Sequence, residues 1–319
     1  MGALAAAMRR NAWVLGLVGI LILLLGFTKM IQPSYGSTGL QGLAVSVLPL
    51  AFAAVAQACA VIARGIDLSV ASMMALTSVV SASLMVDRSE GMAILVVLGV
   101  LLLGCLLGAI NGSLIVVTRV PDIVVTLAML FVWAGFALLV LKTPGGGSAE
   151  WLRGLTKGSV LTDWAPKAAI LLLVVVAVIW IPIRRSRLGL SLYAVGSDPL
   201  AAHRSGVSVA RSRIFAYTLA GLFSALGGLS LTASTGIGTP VPGPYTLLSV
   251  AAVVLGGVSL AGGRGGVFGP IVAIVILSLL RTDMTFLNVN TNLATVAQGV
   301  ILVGVVMIGS LVQLRRENL

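Results

Sequence analysis

Apolar runs of about twenty residues recur along nearly the whole chain, and this recurrence restricts the possible folds more than any other feature of the sequence. An α-helix needs about 20 consecutive apolar residues to span the hydrocarbon core of a bilayer. Charged residues make up only 9% of the chain, whereas a soluble domain usually carries about 25%. The chain is therefore predicted to be an all-α integral membrane protein, built as a bundle of helices.

The apolar runs predict about ten transmembrane helices. Their predicted positions are 13–31, 44–63, 68–86, 92–118, 123–141, 168–183, 213–235, 246–261, 266–281 and 293–314. The stretch 44–86 has two possible interpretations, because the sequence Arg64-Gly65-Ile66-Asp67 interrupts it. It is either two spans or one span followed by a broken helix.

The formal charge of +11 raises the question of a nucleic-acid partner. The basic residues lie in short loops between apolar runs rather than on one face of a soluble domain, so we expect no nucleic acid. With ten spans and a cytoplasmic N-terminus, 13 of the 20 Lys and Arg residues fall in the cytoplasm and 7 fall outside. Because basic residues concentrate in cytoplasmic loops, both termini are predicted to be cytoplasmic.

Two segments are polar enough to lie outside the bilayer. Residues 142–167 form the predicted outer loop, and residues 184–213, with six arginines, form the largest predicted cytoplasmic loop. Within the fourth span, Gly104, Gly108 and Gly112 recur at every fourth position. Small residues at this spacing let helix backbones approach closely in lipid, and we expect packing within one bundle rather than a dedicated dimer seam.

The predicted spans contain few residues of the types that serve in catalysis. No Asp, Glu or His lies in the middle of a predicted span, which argues against a proton-coupled carrier. Cys59, Cys105 and His203 are too few and too scattered for a metal site. The sequence also has neither an H-E-x-x-H motif nor the phosphate loop of nucleotide-binding proteins. We therefore expect no catalytic residue and no metal or cofactor bound by this chain.

One short helix is predicted within the segment 184–213. Asp198 suits the N-cap, Pro199 suits the first helical position and Gly206 suits the residue just beyond the end. The residues between them would form about two turns: Leu200, Ala201, Ala202, His203, Arg204 and Ser205. A helix this short is marginal alone in water. Either the rest of the chain or a partner holds it, or the segment is a solvated linker.

Four groups of residues, in order along the chain, resemble one family of transporters. Ala201-Ala202-x-x-x-Gly206 resembles the coupling-loop motif of ABC importer permeases, although Leu200 stands where that motif has Glu. Three further matches resemble the ribose/xylose/galactose-type sugar permeases, and the resemblance runs from about residue 40 to 310. These matches are Gly65-Ile-Asp67-Leu-Ser69, then Gly108-Ala-Ile-Asn111-Gly112 leading to Pro121 and Thr126, and the run from Leu255 to Gly266 with Gly256, Gly257, Gly262 and Arg264.

The resemblance implies a single transmembrane permease domain over residues 1–319, similar to type II importers, in the bacterial cytoplasmic (inner) membrane. It also implies three partners. These are a second permease copy or a paralogue, an ABC ATP-binding subunit that holds ATP and Mg²⁺, and an extracytoplasmic solute-binding protein. The helix from Asp198 to Gly206 would be the coupling helix, seated in a groove of the ATPase. The implied function is the import of a sugar or sugar-like solute.

Polar residues within the spans are candidates for the translocation path: Gln57, Asn111, Thr126 and Gln298. A hydroxylated solute needs hydrogen-bond partners when it leaves water, but these residues would equally suit hydrogen bonds between helices. Asp67 is interpreted as a cap of the helix that follows the interruption. Other classes of function stay open: a secondary transporter or channel, a membrane-embedded enzyme, or an ABC permease for metal chelates or branched-chain amino acids.

Overall fold

The computed structural model describes residues 12–241 and 243–290, together with scattered residues between 292 and 307. Within these residues the chain is predominantly helical, with one short antiparallel hairpin. The elements, in chain order, are α1 Ala12–Ile31, α2 Ser37–Ile62, α3 Val70–Met85, α4 Glu90–Thr118, α5 Asp122–Val140, α6 Glu150–Thr156, β1 Ser159–Val160, β2 Thr162–Pro166, α7 Lys167–Arg185, α8 Arg187–Ser197, α9 Pro199–Arg204, α10 Val209–Thr235, α11 Tyr245–Leu255 and α12 Phe268–Phe286.

Seven of the described helices are long and apolar enough to cross a membrane: α1, α2, α4, α5, α7, α10 and α12. Each coincides with a predicted span. The predicted spans 68–86 and 246–261 contain shorter apolar helices, since α3 has 16 residues and α11 has 11. At 1.5 Å per residue these helices are about 24 Å and 17 Å long, shorter than the roughly 30 Å hydrocarbon core. The predicted span 293–314, with Gln298, lies largely outside the described residues.

The core of the bundle is built around α2 and α10. In their most apolar windows, 89% of α2 and 72% of α10 are buried, against 11% of α1 and 22% of α5. The largest fully buried side chains include Phe52 on α2, Phe223 on α10 and Trp180 on α7. The outer helices therefore present mostly apolar faces outward, as expected for surfaces in contact with lipid.

The glycine stripe of α4 packs against α10. A Cβ added to Gly108 would meet the backbone of Tyr217, and a Cβ added to Gly112 would lie 2.8 Å from the Cα of Ile214. Gly104 approaches the backbone of Gly221 in the same way. The expectation that these small residues serve packing within one bundle is confirmed.

Loops from distant parts of the chain meet at the two ends of the bundle. At one end, which we call the arginine-rich end, the Gly263 N–H donates to the Ile62 carbonyl (2.9 Å), and Arg213 pairs with Asp122. At the other end, which we call the hairpin end, Gly145 and Gly238 form an isolated antiparallel bridge. There the Gln41 side chain donates to the Asp163 carbonyl on β2 (2.9 Å).

Candidate functional site

The short helix predicted from Asp198 to Gly206 is present as α9. The Asp198 carboxylate accepts from the N–H groups of Leu200 (2.8 Å) and Ala201 (3.0 Å), and Pro199 occupies the first turn. Gly206 has φ +82°. Its N–H donates to the His203 carbonyl, and the Val207 N–H donates to the Ala202 carbonyl, both at 3.0 Å. These two bonds form a Schellman C-cap, so both ends of the helix are fixed by local sequence.

The faces of α9 differ sharply in exposure. Ala202 is 5% exposed and packs against the chain itself, whereas Leu200 is 60% exposed. Ala201, His203 and Arg204 are also exposed. An exposed leucine next to an exposed alanine forms a small apolar face that nothing in the described part of the chain covers. The face available to a partner is thus formed by Leu200 and Ala201, and Ala202 does not belong to it.

A helix that the sequence did not predict, α8, leads into α9 and attaches it to the bundle. Ser186 caps α8 by accepting from the Gly189 N–H (3.2 Å). The Tyr193 hydroxyl donates to the Gly265 carbonyl (3.0 Å), and Ser212 on α10 donates to Ser191 (2.9 Å). Burial raises the pKa of the Tyr193 phenol, so it remains protonated and able to donate. The segment around α9 is therefore held by the chain and is not a free linker.

The glycine-rich run from 255 to 266 forms a turn against α8 and the end of α2. Gly262 and Gly263 have φ of +85° and +70°, and a Cβ on Gly262 would lie 2.8 Å from the Gly196 carbonyl oxygen. Gly257 also has a positive φ, and Gly256 lies against the backbone of Gly269. The Arg264 carbonyl accepts from the Ser259 N–H (3.2 Å), while its side chain is exposed. Glycine is needed in this run for positive φ and for close approach.

Residues 64–69 form a non-helical break between α2 and α3, and buried side chains satisfy its backbone. With its amide oriented so that both of its polar atoms are satisfied, Gln57 donates to the Asp67 carbonyl (2.8 Å) and accepts from the Asp67 N–H (3.2 Å). The Thr126 hydroxyl accepts from the Leu68 N–H (3.1 Å). Thr246 on α11 donates to the Leu68 carbonyl (3.2 Å) and accepts from the Ala71 N–H (3.2 Å). Irregular backbone at membrane depth is tolerated only where protein satisfies it in this way.

The side chains of the break form a second layer of hydrogen bonds. Asp67 Oδ1 accepts from the Ser69 N–H (2.8 Å) and hydroxyl (2.6 Å), and Asn111 on α4 donates to the Ser69 hydroxyl (2.8 Å). Trp133 on α5 donates to Asn111 Oδ1 (3.2 Å). The cap interpretation of Asp67 needs correction, because its carboxylate accepts from Ser69, the residue before α3, and not from an N–H inside that helix. Asp67 stabilises the turn that leads into α3.

The candidate path residues Gln57, Asn111 and Thr126 thus come together around the break. All three are fully buried, and their polar atoms bond within the chain. Their role in meeting solute stays a prediction. Gln298 lies outside the described residues. The structure adds Thr246 to this set. Nothing in the sequence pattern singles this residue out, because it lies near the start of an apolar run.

An ion pair and a phenol connect α10 to the break. Arg213 Nη1 lies 3.5 Å from Asp122 Oδ1, and the Tyr217 hydroxyl donates to Asp122 Oδ2 (2.8 Å). A Cβ on Gly65 would lie 2.5 Å from the same carboxylate oxygen, so the backbone of the break passes directly beside this group. Pro121 precedes Asp122 as the N-cap residue of α5. Sequence reasoning treated Arg213 only as a topology signal and missed this contact.

The expectation of no acidic residue in the middle of a span stands, but two acidic residues just beyond the predicted ends are buried. Helix α12 extends to Phe286 and includes Asp283, which is 3% exposed, and Asp67 is fully buried in the break. Both lie beyond the ends that the sequence predicted for their spans. Their burial removes the argument against a proton-coupled carrier, so the class of transporter has to be decided by other observations.

Comparison with known proteins decides the class of transporter. The family model described as the permease component of branched-chain amino acid transport systems matches residues 39–309. The chain belongs to this family of permeases. A ribose import permease from Haemophilus influenzae is 29% identical over 294 residues, with 90% of each chain covered. A ribose import permease from Escherichia coli K12 is 31% identical, with 81% of each chain covered.

Relatives named for other solutes match the permease at similar levels. A galactose/methyl galactoside import permease from Haemophilus influenzae is 31% identical, with 78% of this chain and 80% of the relative covered. An autoinducer 2 import permease from Escherichia coli is 30% identical, with 81% of this chain and 79% of the relative covered. No solved structure matches the chain. The family match extends over α2 to α12, so α9 and the break belong to the shared domain.

Proposed function

We propose that this permease is the membrane-spanning subunit of a binding-protein-dependent ABC importer that carries a sugar or sugar-like solute into the cytoplasm. The observation that supports this function best is α9, a helix capped at both ends that presents Leu200 and Ala201 away from the bundle. The relatives named for ribose, galactose and autoinducer 2 support a sugar-like solute. ATP and Mg²⁺ would be held by a partner ATPase and not by this chain.

Both termini would lie in the cytoplasm, with the arginine-rich end inside and the hairpin end outside. With the seven long helices, the break and α3 would together complete an eighth crossing and α11 with its flanking loops a ninth. The predicted span 293–314 would be the tenth in one transport domain. Broken helices at membrane depth are common in transporters, where they surround the substrate site. A binding protein would meet the hairpin end, where α6 and the hairpin lie.

ATP-driven closure of the ATPases would move α9 and, through it, the membrane helices. The path for this movement begins where α9 is followed by α10, whose residues Arg213 and Tyr217 contact Asp122 beside the break. A rigid-body shift of α10 would therefore change the contacts of the break directly, as alternating access requires. The break, which the buried side chains now hold closed, would act as the inner barrier.

Reconstitution tests this function. The permease, its ATPase and its binding protein would be placed in proteoliposomes and supplied with radiolabelled D-ribose, D-galactose, D-xylose or L-leucine. L-leucine is included because the family model is described by branched-chain amino acid transport. We expect ATP-dependent uptake of a sugar, and no ATP hydrolysis by the permease alone. Uptake of leucine without any sugar would contradict the proposed solute class, and uptake without the ATPase would contradict the transporter class.

A further inference from the structure

A cavity of about 550 Å³ opens between α2, the last turn of α10 and the start of α11, near the hairpin end. Its volume lies within the usual range for small-molecule sites, which is about 300–1,000 Å³. Lys157 and Gly158, from the connection between α6 and β1, lie at its rim. In the proposed orientation this rim faces the outside of the cell.

One face of α2 forms the longest wall of the cavity. Its lining residues are spaced by three or four along the helix, at Thr38, Gln41, Gly42, Val45, Ser46 and Pro49. Such spacing places them in one stripe. From Thr38 to Pro49 the stripe descends about 16 Å, roughly half of the hydrocarbon core. The cavity therefore extends well into the depth of the membrane.

The polarity of this stripe sets it apart from the other exposed faces of the bundle. Thr38, Gly42 and Ser46 are exposed, although α2 is otherwise the most buried of the long helices. Between their ends, α4 and α5 expose apolar side chains, for example Leu102, Phe131 and Leu139. Polar side chains facing lipid lose hydrogen bonds to water. The α2 stripe is thus suited to a water-filled space and not to lipid.

The floor of the cavity is connected to the break. Tyr245, the first residue of α11, lines the cavity. The next residue, Thr246, bonds the backbone of Leu68 and Ala71. A solute that displaced the side chain of Tyr245 would therefore act on the residue adjacent to the one that holds the break closed. This places the cavity directly outside the proposed inner barrier.

The chemistry of the lining indicates the kind of solute. The hydroxyls of Ser46 and Ser234 donate to carbonyls of their own helices, and the Gln41 amide donates to the Asp163 carbonyl. These side chains therefore offer acceptor oxygens to the cavity, and Tyr245 offers an aromatic ring. Among the described residues that line the cavity, none is acidic. Acceptor oxygens of this kind suit a neutral polyhydroxylated molecule, whose hydroxyls donate, and an aromatic ring suits the apolar face of a sugar ring. A cationic solute would find no counter-charge here.

We propose that this cavity is the solute-binding vestibule of the permease, and that it takes a hydroxylated solute of monosaccharide size on the way from the binding protein to the break. This inference rests on the proposed function and specifies the site. The two can fail separately, because filling the cavity and labelling its wall test the site, whereas uptake by the unmodified complex tests the function.

Gly42→Phe tests the site by filling it. A Cβ on Gly42 would meet no atom within 4 Å, so the substitution projects into the cavity without displacing the core. Gly135 on α5 is a matched control, because it is helical, exposed and equally free of neighbours, but it does not line the cavity. In proteoliposomes we expect Gly42→Phe to lower sugar uptake by about tenfold or more, and Gly135→Phe to leave it near the wild-type level. Equal uptake by both variants would overturn the proposal.

Ser46→Cys, with Cys59 and Cys105 replaced by alanine, tests access by a measurement that needs no known solute. A charged, membrane-impermeant thiol reagent added outside should label Ser46→Cys and should block uptake. Leu102→Cys, on the apolar face of α4, should react at least tenfold more slowly. Protection of Ser46→Cys from the reagent would overturn the proposal.

Discussion

Arg213 Nη1 lies 3.5 Å from Asp122 Oδ1, and this ion pair joins the helix that follows α9 to the helix that begins beside the break. Arg213 lies in the first turns of α10, and Asp122 is the first residue of α5. The second oxygen of Asp122 accepts from Tyr217, which is also on α10. These two contacts on the Asp122 carboxylate hold α10 against the start of α5, beside the backbone of Gly65.

Breaking this pair should uncouple ATP hydrolysis from uptake. Arg213→Ala leaves the Asp122 carboxylate without its cation, and we expect a loss of about 1–2 kcal/mol in unfolding free energy together with a loss of most uptake. The exchanged pair Asp122→Arg with Arg213→Asp should recover part of both. Tyr217→Phe, which removes one hydrogen bond, should cost about 1 kcal/mol and retain more uptake than Arg213→Ala. If Arg213→Ala couples ATP hydrolysis to uptake as the wild type does, the ion pair does not transmit movement from α10 to the break.

The hydroxyl of Thr126 should hold the break closed. Thr126→Val keeps the shape of the side chain but removes the acceptor of the Leu68 N–H, so a buried donor loses its partner at a cost of about 1–3 kcal/mol. Thr126→Ser keeps the hydroxyl and is the control. Thermal unfolding of the purified permease should show a lower midpoint for Thr126→Val than for Thr126→Ser. Equal midpoints would show that this bond contributes nothing to the break.

The sequence predicted the parts of this permease that depend on local patterns. The length of the apolar runs located the long spans, and the capping residues located α9 within one residue. Both features depend only on residues close together in the sequence. The glycine stripe of α4 was predicted to pack within the bundle, but its partner α10 was not, since helix pairing is a property of the whole fold.

The break shows where such prediction stops. The interruption at Arg64–Asp67 is visible in the sequence, but Gln57, Thr126 and Thr246 reach it from three different helices. A single polar residue in an apolar run indicates only that its side chain needs a hydrogen-bond partner. The identity of the partner, and the burial of Asp283 in an extended α12, depend on tertiary structure.

Gly206 should be required for its backbone conformation alone. It has φ +82°, and a Cβ at this position would meet no atom within 4 Å. Gly206→Val should therefore disturb the C-cap through backbone strain, at about 1–2 kcal/mol, and should lower uptake. Gly206→Asn should be tolerated, because asparagine accepts the left-handed conformation. Membrane insertion should be unchanged in both. Similar uptake by the two variants would contradict a conformational role for Gly206.

The two ends of the bundle should lie on opposite sides of the membrane. Leu161, between β1 and β2, is fully exposed, and Ser205, at the end of α9, is exposed. In a background without Cys59 and Cys105, Leu161→Cys should react with an impermeant maleimide added to intact cells. Ser205→Cys should react only after the membrane is opened. Labelling of both positions in intact cells would contradict the proposed orientation.

The ATPase activity of the reconstituted complex is the measurement that tests the coupling role of α9. Ala201 is exposed beside Leu200, so Ala201→Glu adds bulk and charge at the outward face without entering the core. Ala210→Glu, an exposed alanine in the first turn of α10, is the matched control. We predict that Ala201→Glu lowers binding-protein-stimulated ATP hydrolysis and solute uptake together, whereas Ala210→Glu retains both. Wild-type hydrolysis and uptake in Ala201→Glu would show that α9 does not couple the permease to an ATPase.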